Sequence, residues 1–360
     1  MSSLVNDTST TSKRSLWPEK TRGLWVTGAD KSRIALSNGR SYDDWASALG
    51  ANTLGYNWAN ATHFAPATSL PWDIERAFAD EFCEAMGTEA VRFFKSGSDA
   101  VSCAVRLARA YTKRSKVLAF KECYHGTGDT FGPILWTKAG IIDSGQLLVN
   151  EFGEPLKLGA ATKHIAAIVL EPVLKAIDVP YTRWLQTIRE VCDDNGILLI
   201  SDEVILGYRH SLRGYLDSVG IKADLYCYGK AMGQGAAVSA CCGRQSIMGL
   251  LKDTVHFSGT NSGSPTELTV AQNTLRRYIT EDICEQLNER GQFLWDLLYD
   301  KSFATNGLNS RFEIVGTKAA VEYCFDKGIL FPGFCSMTIS HTNEQMYTLV
   351  QTLCDWRNTQ

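Results

Sequence analysis

Ile197-Leu198-Leu199-Ile200-Ser201-Asp202-Glu203-Val204 is an aliphatic run that ends in two carboxylates. A run apolar at every position suits a strand covered on both faces, as in a parallel sheet, and puts Asp202 at the strand's carboxyl end. Upstream, Ile165-Ala166-Ala167-Ile168-Val169-Leu170 is a second such run, and the stretch between carries a helical pattern over residues 183–195 closed by Gly196. Residues 90–94 and 116–120 are further strand candidates. Between them, Ala100, Ala104, Leu107, Ala108 and Tyr111 repeat at helical spacing, and earlier Ile74, Phe78, Phe82 and Met86 recur every four residues. This rhythm predicts an α/β fold with a mostly parallel sheet.

Away from this centre the chain reads differently. Residues 1–20 read as a loose arm, followed by short strand-like segments at Gly23-Leu24-Trp25-Val26 and Arg33-Ile34-Ala35-Leu36. Helical patterns cover residues 266–280 and 282–298, followed by a short strand region and a final helix over residues 343–356. The expected organisation is a large sheet domain at 61–264. A smaller α+β domain is built from the two chain ends: an arm and segment at 1–60, and a connecting helix and C-terminal part at 265–360.

A chain of 360 residues is long enough for a large core. Its net charge of -3 and pI of about 6.1, with both signs interspersed, give no sign of a general nucleic-acid-binding surface. The 11 cysteines are odd in number and lack CxxC spacing, which fits reduced, buried thiols better than a disulfide framework or a zinc site, so no metal is expected. The first 15 residues are polar and no apolar stretch reaches membrane-spanning length, so the expected location is the cytoplasm.

The chemistry gathers at strand ends. Lys230 follows the aromatic strand candidate Leu225-Tyr226-Cys227-Tyr228 and precedes a glycine-rich turn. Alone it reads more readily as a structural lysine than a catalytic one, although burial there would lower its pKa toward a usable nucleophile. Asp202 is either a turn residue or a carboxylate for a pyridine nitrogen. Tyr124 is either a core aromatic or a stacking surface for a ring, and His125 a turn histidine that helps to hold it. Ser96, Gly97 and Ser98 open a helix whose first-turn N–H groups bind phosphate without a basic side chain, a role compatible with capping. Glu171, before Pro172, is either a strand-end turn residue or a group beside the cofactor. In a parallel sheet all of these lie at one edge. An amine, a carboxylate, an aromatic face and a phosphate cradle together make a site for pyridoxal 5′-phosphate.

The runs Phe94-Lys95-Ser96-Gly97-Ser98-Asp99-Ala100, Cys123-Tyr124-His125-Gly126, Val169-Leu170-Glu171-Pro172-Val173, Ser201-Asp202-Glu203-Val204, Tyr228-Gly229-Lys230 and Ser258-Gly259-Thr260 resemble, in that order, the class III aminotransferases of the fold-type I pyridoxal phosphate superfamily. Within that class the likeness is to the glutamate-1-semialdehyde 2,1-aminomutases. It implies Lys230 as Schiff-base lysine and proton carrier, Asp202 as partner of the pyridine nitrogen, Tyr124 as stacking residue, and Ser96, Gly97 and Ser98 as phosphate cradle. It also implies a homodimer with shared sites, in which Thr260 reaches the phosphate bound by the neighbouring subunit.

Departures from the family bear on the substrate. Lys95 stands where the family commonly has Asn, Ile205-Leu206 replace a more polar pair, and residues 328–337 lack the Glu with which the aminomutase recognises its substrate. The segment before them is contracted, so a more open site, able to admit an amine carried on something larger, is expected. The expected activity is amino-group transfer on an amine or amino acid other than glutamate semialdehyde. A decarboxylase or lyase using the same lysine is the alternative, and a non-catalytic binding protein is disfavoured by the joint presence of Lys230 and Asp202.

Overall fold

The computed structural model describes residues 17, 19–21, 24–56, 72–121, 123–135, 139–156, 158–173 and 179–360. The arm expected at the N-terminus lies almost entirely outside the described residues, as does Gly23. The chain divides into two compact units, one made of residues 1–60 with 285–360 and the other of residues 61–284.

The first unit opens with the antiparallel strands β1 (Val26–Asp30), β2 (Arg33–Leu36) and β3 (Ser41–Asp44). β1 begins where the sequence reading had the first strand end: Val26 pairs with Leu36 and the register slips before Gly28. After β3, Ser47, Ala48 and Leu49 take left-handed backbone, with φ of 47, 52 and 59°. The buried Asp44 holds the entry to this turn, its Oδ1 accepting from the amides of Ala46 (2.9 Å) and Ser47 (3.3 Å).

The second unit starts with α1 (Asp73–Met86), whose buried Phe78, Phe82 and Met86 lie on one stripe and which stops at the left-handed Gly87. Then follow β4 (Ala90–Phe94), α2 (Gly97–Thr112), β5 (Lys116–Phe120), β6 (Leu147–Asn150), β7 (Ile165–Leu170), α3 (Val179–Asn195), β8 (Leu198–Asp202), β9 (Leu225–Tyr228), β10 (Ser239–Gly243) and α4 (Pro265–Thr280). The strands form one sheet in the order β4-β10-β9-β8-β7-β5-β6. Only β10 runs antiparallel to its neighbours. Every residue of β7 and β8 is buried, as expected of strands with both faces covered. Ala100, Ala104 and Ala108 on α2 are fully buried; side chains this small let the helix lie close on the sheet.

The helix α4, expected as a connector to the C-terminal part, groups with the larger unit. It is tied to α1 by Glu81, which accepts from Arg276 Nε (2.7 Å) and Gln272 Nε2 (2.8 Å). Beyond it come α5 (Ile283–Asp300), β11 (Thr305–Leu308), β12 (Arg311–Ile314), β13 (Ile329–Leu330), β14 (Phe334–Ser336) and α6 (Asn343–Arg357). Parallel pairing of β13 with β3 joins the two chain ends in one unit, and β11, β12 and β14 make a second small sheet there. Among the described residues no helix is long and apolar enough to cross a membrane. Most cysteines are buried; Cys83, Cys284 and Cys354 are partly exposed.

Candidate active site

The strands β4, β5, β7, β8 and β9 all point the same way, so the segments leaving their carboxyl ends meet along one edge of the sheet. There they enclose a cavity of about 210 Å³ lined by Gly97, Ser98, Tyr124, His125, Glu171, Asp202 and Lys230. Of the residues singled out from the sequence, two lie apart from this lining. Ser96 is exposed just outside it, and Thr260 is exposed on the loop before α4.

Asp202 is buried, and its Oδ2 is 2.8 Å from His125 Nδ1, while Oδ1 accepts from the Val204 amide at 3.2 Å. A buried carboxylate is costly unless bonded, and these contacts hold it in one orientation. His125 therefore does more than hold its turn: it braces the acid. Its Nε2 is buried with no hydrogen-bond partner among the described residues. Burial, and then the charge of Asp202, push the Tyr124 hydroxyl's pKa upward.

Lys230 sits just past β9 with φ of 44°, a left-handed conformation that costs a side-chain-bearing residue about 1–2 kcal/mol. The turn is secured by Lys230 O, which accepts from the amides of Gly233 (3.0 Å) and Gln234 (3.1 Å). Strain kept at a cavity-lining lysine is a mark of a functional position.

The cradle is equally constrained. Ser96 caps α2, its Oγ accepting from the Asp99 amide at 3.2 Å. A Cβ on Gly97 would lie 3.0 and 3.1 Å from the methyls of Val204, and one on Gly126 (φ 88°) would fall 2.4 Å from Ser98 Oγ. Ser98 Oγ also accepts from the Thr127 amide at 3.2 Å, tying the turn that opens α2 to the Tyr-His-Gly turn. The sequence reading did not place Val101, Val204, Ala236 and Val238, apolar residues that line the cavity. Val204 carried a signal, since it follows Asp202 by two positions; the others did not.

A larger groove of about 710 Å³ lies at the amino ends of β4 and β9. There Asp224 is already paired with Arg189 (3.1 Å) and Arg244 (2.5 Å). Chemistry therefore favours the smaller cavity, where an amine and a braced carboxylate converge.

Beside Asp202, Glu203 points away from the cavity and is fully buried, its carboxylate accepting from Ser201 Oγ (2.9 Å) and the amides of Tyr215 (3.0 Å) and Leu216 (3.2 Å). Burial outweighs these bonds and raises its pKa from 4.5 to about 7. The folded chain thus holds this proton where the unfolded chain has released it, so stability falls as pH rises from 4.5 to 7. The size of that loss is about 3 kcal/mol. Urea unfolding of wild type and Glu203→Gln across this range should show the slope in wild type and a flatter line in the variant. Equal slopes would remove Glu203 as the cause.

Residues 17–134 and 136–322 match the family profile described as Aminotransferase class-III. A glutamate-1-semialdehyde 2,1-aminomutase of Ruminiclostridium cellulolyticum is 32% identical over 300 residues, covering 75% of this chain and 69% of the relative. One from Chlorobium phaeobacteroides is 31% identical over 334 residues, covering 85% and 75%. Among solved structures, an omega-transaminase from Sphaerobacter thermophilus superposes with a TM-score of 0.84 at 21% identity, covering 95% of this chain and 92% of that one. A transaminase with PLP bound gives 0.83 at 22% identity, covering 97% and 92%. At such identities these likenesses carry the fold, a fold-type I architecture.

Proposed function

The chain belongs to the class-III aminotransferases, enzymes that use pyridoxal 5′-phosphate, and from that premise we propose that Lys230 carries the cofactor and that the substrate is an amine or amino acid other than glutamate 1-semialdehyde. The observation that carries this reading is that Lys230 and Asp202 line one cavity with the glycine-bearing turn that opens α2.

The residues present fit the cofactor: a cradle that is tight at Gly97 and has no room for a side chain at Gly126, a braced buried carboxylate, and an amine on a strained turn. When bound, the pyridine ring supplies an electron sink for negative charge developing beside the amine nitrogen. Asp202 would face the ring nitrogen, kept in place by His125. Tyr124 would cover a ring face, and Ser96, Gly97 and Ser98 would hold the phosphate through backbone and hydroxyl donors. Glu171, whose Oε2 lies 3.5 Å from the Tyr124 amide, holds that turn against the end of β7. Lys230 would carry a proton between carbon atoms of the bound amine. The valines at 101, 204 and 238 line the same cavity with apolar surface.

Support for a different substrate comes from residues 328–337, which contain β13 and β14 and only buried or neutral side chains where the aminomutase's recognising Glu is expected. The contracted segment before them supports a more open site. We further propose a homodimer in which Thr260 serves the partner's site, a reading that comes from the family resemblance and with which its exposed position is compatible, and a cytoplasmic location.

Borohydride reduction of the holoenzyme followed by peptide mapping is expected to place the pyridoxyl group on Lys230; a label on another lysine refutes the assignment. Single-turnover spectra with glutamate 1-semialdehyde and with a panel of free and carrier-linked amines test the substrate. Fast conversion by the semialdehyde would overturn that part, and release of carbon dioxide would mark a decarboxylase.

A further inference from the structure

β4 ends in Phe94-Lys95-Ser96, and each residue has a separate task. Ser96 opens the cradle turn. Phe94 packs edge-on against Phe257, ring centroids 5.4 Å apart. From α2, Arg106 lies 4.8 Å over the same ring and donates to the His256 carbonyl at 2.9 Å. Lys95 Nζ pairs with Glu267 Oε1 at 2.9 Å, and the second carboxylate oxygen accepts from Ser264 Oγ. The strand end that opens the cradle therefore grips both ends of the loop at residues 258–264. Within the loop, the amides of Ser262 and Ser264 bond back to Gly259 and Asn261, and a Cβ on Gly263 would fall 2.7 Å from Glu75 Oε1. Thr260 sits on the exposed part of this held loop.

Lys95 lines the cavity, so a direct cationic contact with a phosphate is the obvious alternative. Its ammonium is bonded to Glu267, however, and the pair is close to neutral. Both side chains are about three-quarters shielded from solvent. Burial raises the Glu267 pKa, yet the bonds from Lys95 and Ser264 bring it below its ordinary value, which keeps the pair ionised.

We propose that Lys95 and Glu267 are positioning residues that fix the loop at 258–264, and so hold Thr260 in place to grip a cofactor phosphate. The proposal rests on the reading that Thr260 reaches the phosphate bound by a second copy of the chain. Mechanically, this pair anchors the C-terminal end of the loop, and without that anchor Thr260 would sample more positions and bind phosphate at an entropic cost.

The test is the dissociation constant of the apo-dimer for pyridoxal 5′-phosphate and for pyridoxal, which lacks the phosphate, read from the chromophore's absorbance. Lys95→Met and Glu267→Gln are each expected to weaken the phosphorylated compound about tenfold and leave pyridoxal unchanged, the loss corresponding to one hydrogen bond to a charged group. The double variant should be no worse than either single one, and Lys95→Arg, which keeps the ion pair, should restore the affinity. Equal losses for both compounds would show a merely structural role and overturn the proposal, as would no loss. Thr260→Ala separates the two levels. If it weakens phosphate binding while Lys95→Met and Glu267→Gln do not, the inference fails alone; if it has no effect, the shared-site reading fails and takes the inference with it.

Discussion

Turnover by Lys230→Ala is expected to fall by at least about 10⁴-fold, because the variant loses the amine proposed both to carry the cofactor and to move the proton. The fold should survive. Lys230 is only partly buried, and its left-handed turn is held by backbone bonds to its carbonyl that alanine keeps. The protein should still retain cofactor through the cradle, Tyr124 and Asp202, but borohydride treatment followed by acid precipitation should release it from the variant and not from wild type, since the variant has no imine to the protein that reduction could make permanent. Adding a small primary amine should recover part of the proton-transfer rate, as the space left by the side chain opens onto the cavity. The measurements are steady-state turnover with the best amine found and the cofactor content before and after acid. A rate within tenfold of wild type would show that another group does this work.

Asp202→Asn is expected to lower turnover by about 10²–10³-fold, the range for removing one preorganised charged partner from a shielded site. Asparagine keeps the size and one acceptor, so the Val204 amide (3.2 Å) can stay bonded, but it removes the negative charge proposed to face the ring nitrogen. Cofactor content should remain near one per chain, because the phosphate and ring-face contacts are untouched. His125→Phe should lie between this variant and wild type, since it leaves the charge in place but removes the 2.8 Å brace. If Asp202→Asn loses cofactor and turnover in parallel, the residue serves binding rather than the reaction.

Legibility in the sequence followed the range of the interaction. β4, β5 and β7 occupy the residues read for them, because a short apolar run bounded by turn residues is a local signal. α1 was equally plain, its Phe78, Phe82 and Met86 stripe being the same in sequence and in space. β10 was not read: Ser239-Ala240-Cys241-Cys242-Gly243 has no β-branched residue, and it is a strand because β4 and β9 offer unpaired edges on either side. The left-handed turn at Ser47 to Leu49 gave no sign either, since glycine appears only at Gly50 and the conformation is imposed in part by Asp44.

The same division runs through the site. Sequence alone determined its chemical inventory, since Lys230, Asp202, Glu171, Tyr124 and the Ser96-Gly97-Ser98 turn each stand in a short motif beside a strand end, and parallel strands carry such ends to one edge. Tertiary structure alone decided what those groups lean on. The bond between His125 and Asp202, the methyls of Val204 against Gly97, and the pairing of Lys95 with Glu267 join segments far apart in the chain. Such contacts leave no period or motif behind, because each depends on how two separately legible elements pack. They set the orientation of the acid, the width of the cradle and the anchoring of the Thr260 loop.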